Sequence, residues 1–223
     1  MSFAARRRAL ISASQGGSTP RLPDAYQEVE WIGVDGTQYI ISNYAPSGDN
    51  PLKVETKFAA ETGLITVFAT RNYNSIQQSL NFYARNDTYN NYYYRQNATS
   101  STAGINTFGE GLCTGGWDEV VITTNSDTSK TCEINGTVYA LSVQARTMAL
   151  NLAIFARNGT SITQISTAGK LAYLRFYETD DTLVHDYVPC YRKSDSVIGL
   201  YDLVTDTFLT NQGTGTFRKG GNV

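Results

Sequence analysis

The residues best suited to chemistry fall in two neighbouring stretches, SLNFYARN at 79–86 and NNYYYRQN at 90–97. Both alternate residue by residue, and in an extended strand successive side chains point to opposite faces. In the first, Leu80, Phe82 and Ala84 form one face and Asn81, Tyr83 and Arg85 the other. In the second, Tyr92 and Tyr94 oppose Asn91, Tyr93, Arg95 and Asn97. If Asn86-Asp87-Thr88-Tyr89 turns the chain between them, one sheet face presents Asn81, Tyr83, Arg85, Tyr93 and Arg95 together. Such a set is a recognition platform of rings, guanidinium donors and amides. Two plainer readings fit the same residues. One is a solvated sheet face with ordinary cross-strand pairs; the other is a subunit contact, where Tyr and Arg are also enriched.

Catalytic chemistry finds less support. Glu28 and Glu30 stand at strand spacing, but they lie in the opening strand without a third acid and read as a solvated edge. Glu178, Asp180 and Asp181 fall in a turn. His185 is the only histidine; its neighbour Asp186 points to the opposite strand face, so the two do not form a Ser-His-Asp relay by themselves. A structural or surface role is expected of His185. There is no P-loop, no dinucleotide glycine fingerprint and no HExxH run. Cys113, Cys132 and Cys190 are an odd number without CxxC spacing, which fits buried free thiols better than a disulfide framework or a zinc site. No catalytic residue, metal ligand or cofactor is expected.

The elements that position the Tyr and Arg face must be strands. Only 17% of the 223 residues are charged while 12% are aromatic, with 15 Tyr and 19 Gly, a strand-and-turn composition without the long Glu/Lys faces of surface helices. A net charge of −2 supplies no basic field to draw the body to nucleic acid or an anionic membrane. The first residues have the charged start of a signal peptide, but Ala9-Leu10-Ile11 falls short of the roughly 7–15 apolar residues an h-region needs. Neither a secretion signal nor a membrane-inserted helix is expected. The Asn-x-Thr triplets at Asn97, Asn135 and Asn158 read as turn residues rather than glycosylation sites.

Two parts are expected: an N-terminal arm and linker at 1–21, and one β-sandwich domain at 22–223. The arm carries Arg6, Arg7 and Arg8 among Phe3, Leu10 and Ile11, the pattern of a short basic helix that docks on a partner or of a disordered tail. Pro20 and Pro23 mark the extended linker. In the body, 26–32 and 37–41 are expected to form a first hairpin, 52–59 a half-buried strand, and 64–70 and 151–157 near-apolar central strands. Residues 117–139 read as a β-meander: Val120, Ile122 and Thr124 share one face, Cys132 and Ile134 the next, Val138 marks the third strand, and Asn135-Gly136 suits a type I′ turn. The pairs 170–178 with 182–188 and 197–202 with 207–210 complete an all-β, two-sheet antiparallel sandwich without internal helices.

Beyond the pattern there is a likeness. Trp117-Asp-Glu-Val-Val-Ile, Cys132-Glu-Ile-Asn-Gly, Leu152-Ala-Ile-Phe-Ala-Arg and Gly169-Lys-Leu-Ala-Tyr-Leu-Arg-Phe-Tyr resemble the laminin-G-like, concanavalin A-like lectin and glucanase jelly roll. The flanks Leu22-Pro-Asp-Ala-Tyr-Gln-Glu-Val-Glu-Trp-Ile and Val188-Pro-Cys-Tyr-Arg-Lys-Ser-Asp, with Gly199-Leu-Tyr-Asp, resemble jelly-roll proteins encoded in phages and prophages of gut bacteria, over roughly 22–218. The resemblance implies a virion structural protein, a head or tail fibre or a decoration protein, recognising cell-surface or mucus glycans. It implies that Phe3, Arg6, Arg7, Arg8, Leu10 and Ile11 anchor the chain on a capsid or tail protein. Analogy with fibres makes a homo-oligomer, a trimer by first choice, the expected assembly. The Glu-x-Asp-x-Glu run of the jelly-roll glucanases is absent, and the calcium-site arrangement of legume-type lectins is not visible. The resemblance therefore implies binding rather than catalysis.

Overall fold

The computed structural model describes residues 21–48, 50–72, 78–97, 104–145, 150–178 and 181–223, so Phe3, Arg6, Arg7, Arg8, Leu10 and Ile11, from which anchoring is expected, lie outside the described residues. Among the described residues there is no α-helix. The strands are β1 (Tyr26–Glu28), β2 (Ile32–Val34), β3 (Ile40–Ile41), β4 (Lys53–Arg71), β5 (Ser79–Asn86), β6 (Asn91–Asn97), β7 (Ile105–Phe108), β8 (Asp118–Ser126), β9 (Ser129–Ile134), β10 (Thr137–Ser142), β11 (Ala153–Ile154), β12 (Ala168–Tyr177), β13 (Leu183–Arg192), β14 (Ile198–Asp202), β15 (Thr207–Thr210) and β16 (Arg218–Lys219).

These make two antiparallel layers joined through one strand. The first runs β10-β9-β8-β4-β12-β13-β14-β15, with β2 also on β12, β16 on β2 and β1 on β13. The second runs β7-β6-β5-β4-β11-β3. Sequence alternation predicts separate strands on either side of Glu61; the chain instead builds one 19-residue strand. Its first half pairs with β12 as far as Thr62, and its second half pairs with β5 from Gly63 onward. Gly63 makes the crossing possible: it holds φ +64, and a Cβ there would lie 2.9 Å from the Thr167 hydroxyl.

Between the layers lies the core. Phe58 of the first layer meets Phe82 of the second edge-on at 5.8 Å, and Phe68 meets Phe176 at 5.5 Å. All four rings are fully buried. Each such side chain contributes about 1.5–3 kcal/mol by leaving water. This layer contact fixes the register of β5 and β6, because Phe82, Tyr92 and Tyr94 must face it, and that leaves Tyr83, Tyr93 and Arg95 facing away.

Two local expectations are corrected. No hairpin forms between 26–32 and 37–41: β1 pairs with β13, β2 with β12 and β16, and β3 with β11. Buried Gln38 redirects the chain there, accepting the Asp35 and Thr37 N–H groups and donating to the Asp35 carboxylate at 2.6 Å. The apolar run 151–157 gives only a two-residue strand, because Phe155 turns out of the sheet at φ 67, buries its ring 5.9 Å from Phe217 and donates its N–H to the Thr66 carbonyl. β10 is the third strand of the meander, and Val138 lies on its outer side. Val138 is 60% exposed, since the register sets Tyr139 opposite Cys132 and Leu141 opposite Lys130. The turn itself behaves as its residues require, with Asn135 at φ 49 and Gly136 at φ 88. Asn135 also ties the turn back to β8, accepting the Glu119 N–H at 2.9 Å and donating to Asp118 at 2.9 Å.

Candidate functional site

On the outer face of the second layer, β5 and β6 pair Tyr83 with Tyr93, Asn81 with Arg95, and Arg85 with Asn91. The chain thus brings all five singled-out residues, Asn81, Tyr83, Arg85, Tyr93 and Arg95, onto one face. The two phenol rings stack, 4.2 Å between centroids and 11° from parallel. Burial, then the neighbouring Tyr93, pushes the Tyr83 phenol well above its ordinary value, so its hydroxyl stays a neutral donor and acceptor. Because the rings cover one another, each offers a ligand its outer face, its edge and its hydroxyl, and not both faces.

The three polar members differ in what they can still do. Asn81 forms the floor of the face, 2% exposed; with its amide nitrogen turned toward the backbone it reaches the carbonyls of Thr70 at 3.1 Å and Leu80 at 2.9 Å. It stiffens the platform rather than presenting an amide. Arg85 is engaged by Asp87, through Nε at 2.9 Å and Nη2 at 2.7 Å, and its guanidinium lies 4.4 Å from the Tyr89 ring centre. Arg95, half-buried, has no such partner among the described residues: its Nε is buried and meets no hydrogen-bond acceptor there.

Beside the tyrosines lies a segment that strand alternation did not reveal. Arg157 bridges to Thr163, backbone to backbone at 2.7 Å and Nε to hydroxyl at 3.1 Å, and its charge acts on the Tyr83 phenol. Thr66, opposite Tyr83 on β4, donates its hydroxyl to the Gln164 carbonyl at 2.9 Å, which pins this segment against the sheet. No periodic signal marks such a crossing loop, because its contacts are long-range and its own pattern is irregular.

A second constellation was equally hidden. His185 Nδ1 stands 2.6 Å from Asp202, which is fully buried and also takes hydrogen bonds from Asn43, Thr205 and the backbone N–H groups of Asp186 and Val204. Burial raises the Asp202 carboxyl, yet those donors outweigh it and hold the group well below the usual carboxylate range. The imidazole packs on Tyr44 at 4.7 Å and parallel to Tyr187 at 5.5 Å. This is a His–Asp pair closing one end of the core. Its members come from β13 and the end of β14, a pairing that only the β13–β14 register reveals. Among the described residues, no cluster of three or more His, Cys, Asp or Glu side chains is arranged to hold a metal ion, and no helix is long and apolar enough to cross a membrane.

No protein-family model matches this sequence, and no curated protein matches it. Solved structures do. The native heptameric SAP-like pentraxin of Limulus polyphemus superposes with a TM-score of 0.53 at 14% identity, over 91% of this chain and 97% of that one. Ruminococcus gnavus IT-sialidase CBM40 bound to α2,3-sialyllactose gives 0.49 at 11% identity over 68% and 90% of the two chains. Bacillus licheniformis β-glucanase gives 0.39 at 9% identity over 68% and 96%. At such identities the likeness is one of fold: the chain is a jelly-roll β-sandwich of the concanavalin A-like kind.

Proposed function

We propose that this protein is a phage virion component, a head or tail fibre or decoration protein, whose sandwich binds cell-surface or mucus glycans through the face around Tyr83 and Tyr93. The observation that carries the binding reading is the stacked tyrosine pair with Arg95 beside it, held rigid on adjacent strands. Rigid rings lose little entropy on binding, and weak single sites of this kind become useful when several copies act together. The heptameric pentraxin and the sialyllactose-bound carbohydrate-binding module are compatible with such use of the fold. The virion assignment rests on the flanking sequences at 22–32 and 188–202 and on the basic start, where Phe3, Arg6, Arg7, Arg8, Leu10 and Ile11 would anchor a homo-oligomer, a trimer by first choice, on a capsid or tail protein. Its location would be the virion, after synthesis in the bacterial cytoplasm. Function by binding, without catalysis or cofactor, is supported by the missing Glu-x-Asp-x-Glu run and by a lone histidine bound to a buried carboxylate.

A purely structural role has one observation in its favour. Tyr89 and Leu112, 56% and 51% exposed, lie on turns joined by the Cys113 N–H to Asn90 carbonyl bond at 3.3 Å, an apolar corner suited to a subunit contact. A glycan array read with wild type and with the Tyr83→Ala/Tyr93→Ala variant separates the two. Loss of array binding by a variant of unchanged oligomeric state supports the lectin reading; unchanged binding with altered assembly sinks it. Shortening of any polysaccharide on incubation with the protein would overturn the non-enzymatic assignment.

A further inference from the structure

Resting on the glycan-binding reading, we propose that the preferred ligands are acidic saccharides, and that Arg95 receives their carboxylate or sulfate group. A guanidinium keeps its charge at every physiological pH, so a protein that half-buries one ordinarily supplies an acceptor. Here the chain does so for Arg85, with Asp87, and for Arg175, with Asp186 at 3.0 Å. Around Arg95 no carboxylate comes within ion-pairing distance among the described residues, and its buried Nε donates to nothing. Leaving such a donor unmet destabilises the fold, and more so when the group is charged. An anionic ligand whose acid group reaches the Nη groups would relieve the unpaired charge with charge-assisted hydrogen bonds.

The rest of the face points the same way. Arg157 and Arg85 both stabilise negative charge at the Tyr83 position, and Asp87 is held by Arg85. The face is therefore locally positive on a chain whose net charge is −2. Tyr83 and Tyr93 provide hydroxyls and ring surface next to Arg95, so the saccharide ring and its acid group can be met together: ring and hydroxyls by the tyrosines, acid by the arginine. Register sets the spacing, with Tyr93 and Arg95 two residues apart on one strand face, about 6.6–6.8 Å along it, within the span of one sugar ring and its substituent.

Matched pairs of probes test this directly: trigalacturonate against its methyl ester, and lactose 3′-sulfate against lactose, titrated into the full-length protein by calorimetry at low and at physiological salt. The expected result is at least about tenfold tighter binding of the acidic member of a pair, diminishing as salt rises. In Arg95→Gln the ratio of acidic to uncharged binding falls to about one, and in Tyr83→Ala/Tyr93→Ala binding of both members is lost. Equal binding of acidic and uncharged members by wild type would overturn the acidic preference and leave the lectin reading standing. A preference that survives Arg95→Gln would overturn the role of Arg95, and no binding of any member, in a wider glycan array as well, would overturn both readings. The methyl-ester and salt comparisons need no variant, so they decide the question even if Arg95→Gln does not fold.

Discussion

Tyr83 and Tyr93 stack across neighbouring strands with their rings 4.2 Å apart and 11° from parallel, on the face of the sheet turned away from the core. The contact does two things at once. It links β5 to β6 beyond their backbone ladder, and it fixes the edges and hydroxyls of both rings before any ligand arrives. Aromatic pairs of this kind contribute about 0.5–1.5 kcal/mol beyond area burial. A double-mutant cycle of Tyr83→Ala and Tyr93→Ala, read by urea unfolding, should give a coupling energy in that range. Strictly additive losses would mean that the stack contributes nothing of its own.

Asp202 should control acid stability. Its folded-state carboxyl sits below the ordinary value because His185, Thr205, Asn43 and the Asp186 N–H donate to it, despite its burial. A depressed folded value stabilises the protein fully above the unfolded-state pKa of about 3.9, and that stabilisation is lost as pH falls below it. Asp202→Asn should therefore cost about 3 kcal/mol near neutral pH, and the gap to wild type should narrow steadily below about pH 4. Chemical denaturation from pH 7 to pH 3 measures it. A gap that stays constant across that range would contradict the assignment.

The thiols should be inert while the fold is intact. Cys113, Cys132 and Cys190 are free and buried, and burial pushes Cys113 and Cys190 up to about 12. Thiolate is the reactive form, so at pH 8 very little is present in the native state. Colorimetric thiol titration should find almost no reaction natively and all three cysteines after unfolding. Rapid native labelling of any of them would show that its surroundings open.

Gly136→Ala should cost about 1 kcal/mol. The residue holds φ +88 at the β9–β10 turn, a conformation that a Cβ disfavours, although nothing lies within 4 Å of where that Cβ would stand. The penalty is therefore one of backbone and not of crowding. Thermal unfolding measures it, and an unchanged melting temperature would show that the turn relaxes freely.

What the sequence discloses and what it hides divide along a physical line. Wherever alternation is local and one face must be buried, the pattern suffices. Residues 79–97 show it, as Phe82, Tyr92 and Tyr94 go inward and Tyr83, Tyr93 and Arg95 outward. So does the Asn135-Gly136 turn. Wherever the outcome depends on a partner distant in sequence, the pattern fails. Residues 26–32 and 37–41 look like a hairpin until β1 finds β13, β2 finds β12 and β3 finds β11. The run 151–157 looks like a strand until Phe155 finds Phe217. His185 looks solitary because Asp202 reaches it only through strand pairing. The composition of the candidate site is legible, but not its state: Asn81 buried at the floor, Arg85 neutralised by Asp87 and Arg95 unpaired among the described residues are facts of three-dimensional neighbourhood.

The central claim is that the Tyr83/Tyr93 face is the binding surface. Two-dimensional NMR of isotope-labelled protein, titrated with trigalacturonate and with lactose 3′-sulfate, tests it most directly. The account predicts that the largest shift changes fall on Tyr83, Tyr93 and Arg95, including the Arg95 Nε–H signal, with smaller changes at Thr66 and Arg157. Changes confined to other surfaces, such as the Tyr89 and Leu112 corner, or no changes at millimolar ligand, would contradict it.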